Sequence, residues 1–170
     1  MLSSSEGYDA LEATQDAARD RGYPPLFLSS RLQGEARDLG AMHAAVASDV
    51  RATDNPISPP AVLTSGGGTT VTLRGNGDGR PNQEFGLAAA LAFNDSETVV
   101  AAVDTDGIDG ANDAAGAIVR RATAFPPDAA QQALDINDVT PFLRDRNALV
   151  LTGPMGTDVS DLRVVVVDQP

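Results

Sequence analysis

Three apolar runs are each followed by a glycine-rich loop, and this arrangement constrains the fold more than any other feature. The runs are "AVLTS" with "TTVTLR", then "TVVAAVD" and "ALVLT", and the loops follow Leu73, Val103 and Leu151. Short runs rich in β-branched residues predict strands. Because helical patterns lie between them, we expect an α/β fold with a mixed, partly parallel sheet flanked by helices.

The first 60 residues predict a linking segment made of a helix, a strand and a second helix. The first helix ends at Gly22, the strand is "PPLFLSS", and "GEARDLGAMHAAVASDV" has apolar residues at helical spacing. Three prolines within "RATDNPISPP" then predict a connecting loop. Residues 61–170 are predicted to form the domain proper.

Within residues 61–170 we expect helices over "NQEFGLAAALAF" and near 127–135, and a final strand "LRVVVV". The runs "TVVAAV" and "LRVVVV" lack polar alternation, which predicts strands covered on both faces. Ligands of open α/β sheets bind at the carboxyl ends of strands. Three glycine-rich loops at such ends therefore predict a binding site.

The first loop, "RGNGDGRPNQE", places Gly75, Gly77 and Gly79 before a helix, between Arg74 and Arg80. Glycine lets a phosphate approach backbone N–H groups, the helix presents its positive end, and Arg suits phosphate or carboxylate. The spacing is not that of a dinucleotide fingerprint, and without Lys it is not a Walker loop. The alternative is a flexible hairpin or a strand–helix turn with no ligand.

The second loop carries Asp104, Asp106, Asp109 and Asp113. An EF-hand is excluded, because Ile108 stands at a ligand position and Ala115 where Glu is required. Looser Mg²⁺ coordination and simple turn capping both remain open.

The third loop, "TGPMGTDVSDL", offers Thr152, Thr157, Asp158 and Asp161 beside two glycines. This loop could bind an oxyanion, or Asp158 could cap a short helix. The lone histidine, His43, lies in an Ala-rich helical segment, and we interpret it as a packed or surface residue.

The formal net charge is −12, from 19 Asp and 5 Glu against 12 Arg, with no Lys. Such a surface repels phosphate backbones and argues against a nucleic-acid partner. It indicates either the codon bias of a GC-rich genome or, as we favour, adaptation to high salt. Without an apolar run long enough to cross a membrane, a secretory signal or Cys, a cytoplasmic location is expected.

Three blocks of the sequence resemble the motif blocks of the MOFRL domain. They are "SGGGTTVTLRGNGDGRPNQEFGLAAALAF", "DTDGIDGANDAAGA" and "LTGPMGTDVSDL". The family patterns run approximately SGGET-T-V-x-V-x-G, G-x-NQE, GTDGxDGxTDAAGA and TGPTGTNVNDL, in this order. That domain is the C-terminal domain of the glycerate 2-kinase family, some of whose members are labelled hydroxypyruvate reductase.

The resemblance implies ATP-dependent phosphorylation of D-glycerate at its 2-hydroxyl with Mg²⁺, in a cleft shared with a larger, Rossmann-like first domain. The region that resembles the family contains no counterpart of that first domain. The catalytic Lys that the family carries there has no counterpart either, since the chain has no Lys. We therefore expect a C-terminal part of a kinase, inactive without the N-terminal domain. The alternatives are an NAD(P)H-dependent hydroxypyruvate reductase and a non-catalytic anion-binding or interaction module.

The site residues follow from the loops and the resemblance together. Arg74 is expected to be catalytic, and Asp106 and Asp109 to hold the metal. Gly68 departs from the family pattern, which has an acidic residue there. Binding of substrate or nucleotide is assigned to Gly66, Gly67, Gly75, Gly77, Gly79, Arg80, Asn82, Gln83, Glu84, Thr152, Gly153, Gly156 and Thr157.

Overall fold

The computed structural model describes residues 6–110, 113–156 and 160–169. A short 3-10 helix, Arg121–Ala124, lies between the strand Gly116–Arg120 and the helix Pro127–Asp135. The other elements are, in chain order, α1 (Glu6–Asp20), β1 (Pro25–Ser29), β2 (Gly34–Glu35), α2 (Ala36–Thr53), β3 (Ala61–Gly67), β4 (Thr69–Thr70), α3 (Pro81–Ala92), β5 (Val99–Asp104), β6 (Gly116–Arg120), α4 (Pro127–Asp135), α5 (Val139–Arg144), β7 (Leu149–Val150) and β8 (Asp161–Val167).

Six strands form one sheet in the order β1-β3-β8-β5-β6-β7, and β2 and β4 form a two-stranded parallel sheet. β1 is parallel to β3, whereas the other neighbours in the large sheet are antiparallel. The expected α/β fold with a mixed, partly parallel sheet is confirmed. These pairings make β1, β3, β5 and β7 run in the same direction, so their carboxyl ends lie at one end of the sheet.

One face of the sheet is covered by α2 and α3, which pack tightly because both are rich in alanine. A Cβ at Gly40 of α2 would overlap the backbone carbonyl of Phe85 in α3, so the absence of a side chain permits this close approach. The core between these helices and the sheet includes Leu63, Phe85, Leu87, Val100, Val119 and Val165.

The opposite face of the sheet is covered only in part. Helix α1 lies beside Val62, Val164 and Val166. On β5 and β6, Val99 and Ala101 are half-buried and Ile118 is exposed. The expectation of cover on both faces is thus wrong for β5 in the described part of the chain, because apolar residues on both faces do not specify what covers them. For β8, the other strand of that expectation, α1 lies beside Val164 and Val166 and covers the second face there.

Several boundaries differ from the predictions. The run "TTVTLR" forms a strand only at Thr69–Thr70, and neither β6 nor α5 was predicted. β1 comes from the predicted linking segment but belongs to the large sheet, so that segment packs together with the rest. Among the described residues no helix is long and apolar enough to cross a membrane.

One series of acidic residues lies on the exposed face of α1. In α1, the exposed residues Asp9, Glu12, Asp16 and Asp20 follow one another at three- or four-residue spacing. Of these four residues, only Asp16 forms an ion pair within the described part of the chain, with Arg19 at 2.6 Å. Like charges at this spacing destabilise a helix.

We expect KCl to stabilise the folded chain. Raising KCl from about 0.1 M to about 1 M shortens the screening length from about 10 Å to about 3 Å and should raise the melting temperature by several degrees. The triple variant Asp9→Asn, Glu12→Gln and Asp20→Asn should respond less, since it lacks three repelling charges. An equal response of the two proteins in thermal unfolding would show that charge repulsion is not the cause.

Candidate functional site

The described parts of the three glycine-rich loops meet at the carboxyl end of the sheet. We call them loop 1 (68–80), loop 2 (105–110 and 113–115) and loop 3 (151–156 and 160). A Cβ on Gly107 of loop 2 would overlap the carbonyl of Gly153 in loop 3. The N–H of Met155 donates to the Asp106 carbonyl at 2.8 Å. Loop 1 contacts loop 2 where the Arg80 guanidinium lies against Gly110. The loops therefore form one continuous surface.

Loop 1 is anchored by Asn137, which lies between α4 and α5. The Asn137 side-chain oxygen accepts the N–H groups of Arg74 at 2.6 Å and Gly75 at 3.2 Å. The N–H of Gly77 donates to the Ile136 carbonyl at 2.9 Å, and a side chain at Gly75 or Gly77 would overlap residues 136–137. Glycine at positions 75 and 77 thus allows loop 1 to approach the backbone of residues 136–137 closely.

The predicted ligand-binding glycines fall into two groups. Gly66 packs against Leu11, Gly67 against residues 31–32, and Gly79 against Val71 and Leu73. By contrast, a Cβ added to Gly153 or Gly156 of loop 3 would meet no atom of the described residues within 4 Å. Among the described residues, loop 3 therefore has open space at these two glycines and loop 1 has it at Gly68. The ligand-binding role of the predicted glycines stays a prediction.

The amino end of α3 is occupied by the Asp109 carboxylate. Its Oδ2 accepts the N–H of Gln83 at 3.0 Å, and its Oδ1 accepts the N–H of Asn82 at 3.1 Å and the Asn82 side-chain amide at 3.3 Å. This carboxylate takes the N–H groups that the sequence suggested for a phosphate. Burial raises the pKa of Asp109 to about 6, against the lowering effect of these hydrogen bonds.

The segment "NQE" at the start of α3 is buried and contacts other protein groups. Gln83 accepts a hydrogen bond from the Thr140 hydroxyl at 2.7 Å. Glu84 accepts one from Arg37 at 2.7 Å and one from the Asn137 amide at 2.9 Å. In this arrangement the three predicted binding residues support the loops, and their direct role in binding stays a prediction. Asn82 Oδ1 and Gln83 Nε2 are buried and have no hydrogen-bond partner in the described chain.

The two predicted basic residues of loop 1 differ in their surroundings. Arg74 is exposed, and its side chain extends from loop 1 towards solvent. Arg80 is buried and pairs with the exposed Asp78 at 2.8 Å. In loop 3, exposed Thr152 donates to the Gly153 carbonyl at 3.0 Å, whereas Thr157 and Asp158 lie outside the described residues.

Two carboxylates, Asp104 at the end of β5 and Asp106 in loop 2, shape the beginning of loop 2. Asp104 Oδ1 accepts the N–H of Asp106 at 3.1 Å, and Asp106 Oδ1 accepts the N–H of Ile108 at 2.7 Å. Burial first, and then the neighbouring carboxylates, raise the pKa of Asp104 to about 6. In the described part of the chain no group of three or more His, Asp or Glu side chains is placed to hold a metal. The metal-binding role of Asp106 and Asp109 stays a prediction.

Arg163 is central to the site but was not among the predicted site residues. It is fully buried, and it pairs at 2.6 Å with Asp161, which the sequence offered only as one carboxylate of the third loop. The signal in the sequence was a charged residue inside the apolar run "LRVVVV". A charged side chain is rarely buried unless it is paired with an opposite charge, so an Arg in an apolar strand predicts a buried ion pair.

His43 is a packed residue, as expected. Its Nδ1 contacts the Leu39 carbonyl and its Nε2 the Ser65 hydroxyl, both at 2.8 Å. A carbonyl can only accept, so Nδ1 carries the proton and Nε2 accepts from Ser65. Burial is the main cause that lowers the pKa of His43 to about 4, so the ring is neutral at pH 7.

Comparison with known proteins places this site in a family. The model of the MOFRL family matches residues 61–161. The chain is 38% identical over 156 residues to the D-glycerate 2-kinase of Thermotoga maritima, covering 89% of this chain and 37% of that protein. It is 40% identical over 168 residues to a putative hydroxypyruvate reductase of Agrobacterium vitis, covering 93% of this chain and 38% of that protein.

The fold is also found in a solved structure. The crystal structure of the Thermotoga maritima glycerate kinase matches with a TM-score of 0.88 at 36% identity, over 92% of this chain and 39% of that one. The chain thus spans less than two-fifths of the length of these relatives.

We expect His43 to make folding stability depend on pH. The folded pKa of about 4 lies below the ordinary value of 6.5, so the unfolded chain binds the extra proton between these values. The stability is fully present above pH 6.5 and falls by up to about 3 kcal/mol as the pH drops towards 4. The raised pKa values of Asp104 and Asp109 act in the opposite direction over an overlapping range.

Urea unfolding of the wild type and His43→Gln across this range separates the two effects. The aspartates are common to both proteins, so the difference in unfolding free energy should shrink as the pH falls. We choose Gln because its side-chain amide oxygen can still accept a hydrogen bond from the Ser65 hydroxyl. A difference that is constant with pH would exclude a neutral, buried His43.

Proposed function

The chain belongs to the MOFRL family, and on this premise we propose that it is the C-terminal part of an ATP-dependent D-glycerate 2-kinase. In the proposed reaction the γ-phosphoryl group passes from ATP to the 2-hydroxyl oxygen of D-glycerate. The hydroxyl loses its proton, and the products are 2-phosphoglycerate and ADP. The relative from Thermotoga maritima carries the name of this activity.

The observation that carries the proposal is the meeting of three glycine-rich loops at the carboxyl end of the sheet. Loop 3 has open space at Gly153 and Gly156, and loop 1 presents the exposed side chain of Arg74. Phosphoryl transfer depends mainly on positioning and on neutralising the charge of the phosphoryl oxygens. An Arg fork beside an open glycine backbone is suited to both tasks.

The reaction is proposed to need a further polypeptide, which corresponds to the N-terminal domain of the relatives. Exposed apolar side chains flank the loops: Leu73 in loop 1, Ile136 beside it, and Leu151 and Met155 in loop 3. Exposed apolar residues grouped around a polar site are typical of a surface that contacts protein.

The fit of the described residues to Mg²⁺ is poor. Both oxygens of Asp109 accept hydrogen bonds from α3, and one oxygen of Asp106 accepts from Ile108. Mg²⁺ next to a nucleotide needs only one or two protein carboxylates. Asp109 is a poor candidate because both of its oxygens are used, and Asp106 and Asp109 are therefore not available as a pair. We therefore assign no step of the reaction to a metal held by this chain.

The second candidate is an NAD(P)H-dependent hydroxypyruvate reductase, favoured by the name of the Agrobacterium vitis relative. Loop 1 lacks the dinucleotide fingerprint, since its glycines are spaced G-x-G-x-G. Loss of NADH absorbance in the presence of hydroxypyruvate distinguishes this candidate from the kinase.

We predict that the isolated chain has no glycerate kinase activity. A hybrid in which it replaces the matching region of the Thermotoga maritima kinase should produce 2-phosphoglycerate from ATP and D-glycerate. Arg74→Ala in this hybrid should lower kcat on the order of 10²-fold, because a cation is removed from the transferring phosphoryl group. A coupled assay of ADP release measures the activity of the isolated chain and the kcat of the hybrid and of its Arg74→Ala variant.

Arg21→Ala is the matched control, because Arg21 is exposed beside Val62 at the start of β3. It should leave kcat unchanged. Strong activity of the isolated chain would contradict the shared site, and an unchanged rate for Arg74→Ala would remove Arg74 from it.

A further inference from the structure

Asp161, the first residue of β8, joins three parts of the candidate site. Its Oδ1 accepts the side-chain amide of Asn82 at 2.8 Å, and its Oδ2 accepts the Arg163 guanidinium at 2.6 Å. Oδ2 also accepts the backbone N–H of Thr69 at 3.3 Å. One carboxylate therefore contacts the start of α3, the beginning of loop 1 and the strand that follows loop 3.

Arg163 extends these contacts to the end of β3. Its Nη1 donates to the Gly67 carbonyl at 3.2 Å and its Nη2 to the Thr69 hydroxyl at 3.0 Å. The guanidinium lies over the ring of Phe85, 5.0 Å from its centre. The fork thus fixes the backbone at the point where β3 leaves the sheet and loop 1 begins.

Loop 2 is connected through Asn82. The same side-chain amide that donates to Asp161 also donates to Asp109, which caps α3. A continuous series of hydrogen bonds therefore runs from Asp109 through Asn82 and Asp161 to Arg163. We call these four residues the buried clamp.

A buried ion pair is poorly explained by stability alone. Replacing such a pair by apolar residues is often neutral or stabilising, because desolvation offsets the attraction between the charges. What an apolar pair cannot supply is directional bonding to the Gly67 carbonyl and to Thr69. The distinctive contribution of the pair is therefore geometric.

We propose that Arg163 and Asp161 are positioning residues, which hold the three loops in one fixed arrangement through the buried clamp. They do so without contacting the ligand. The consequence for the reaction rests on the proposed kinase function: a displaced loop would misplace the phosphoryl group, and an error near 1 Å costs about 10²-fold in rate. The structural part does not depend on which ligand binds.

Amide hydrogen exchange on the 170-residue chain tests the structural part. Arg163→Met and Asp161→Asn should each speed exchange about tenfold at the amides of Thr69, Asn82 and Gln83. The amides of Val100 and Val119, in the centre of the sheet, should be unchanged. Arg19→Met, which breaks the exposed α1 pair with Asp16, is the matched control and should change none of them.

Arg163→Lys provides a second variant that keeps the charge in case Arg163→Met does not fold. A single ammonium group cannot reproduce the fork, so Thr69 should still exchange faster while Asn82 and Gln83 stay protected. Unchanged exchange at Thr69, or equally faster exchange throughout the sheet, would overturn the proposal.

The hybrid kinase tests the consequence for the reaction. Arg163→Met should lower kcat per folded molecule about 10²-fold and change KM for D-glycerate less than about threefold, with the folded fraction measured by urea unfolding of the same sample. Loss of stability alone would lower the folded fraction and leave kcat per folded molecule unchanged. An active hybrid whose kcat is unaffected would overturn the positioning role. A hybrid that is inactive with the unmodified chain would instead count against the proposed function, and the exchange result would stand by itself.

Discussion

The carboxylate of Asp109 on the amino end of α3 is the contact on which the rest of the site depends. A helix begins with N–H groups that have no partner within the helix, and here two of them donate to one side chain from a different loop. This fixes loop 2 relative to α3. Because Asn82 also bonds Asp161, the same contact extends to loop 3 and to Arg163.

The glycines of loop 1 have a related purpose. Gly75 and Gly77 lie directly against the backbone between α4 and α5, where Asn137 accepts two N–H groups of the loop. Asn137 also reaches Glu84, which Arg37 holds from α2. Two polar networks, both of which include residues at the start of α3, therefore hold the loops. Among the described residues, the open part of the surface lies at Gly153 and Gly156 of loop 3 and at Gly68 and the exposed Arg74 of loop 1.

The sequence was sufficient to predict the α/β class, the main helices and the grouping of the three loops, because apolar runs and glycine punctuation are local signals. It could not predict the capping role of Asp109 or the pairing of Arg163 with Asp161, since both depend on contacts between segments distant in the chain. The spacing of the loop 1 glycines also could not show that Gly75 and Gly77 lie against Ile136 and Asn137, because that contact joins distant segments. Periodicity likewise could not show that one face of β5 and β6 is only partly covered.

Loops that are far apart in the chain are held together by one continuous polar network. Asp109 and Arg163 are linked through Asn82 and Asp161, and each step between them is a hydrogen bond. A double-mutant cycle of Asp109→Asn and Arg163→Met, measured by urea unfolding, tests this network most directly. We expect a coupling free energy of at least about 0.5 kcal/mol that is lost in an Asn82→Ala background. Additive effects of the two substitutions would contradict a continuous network.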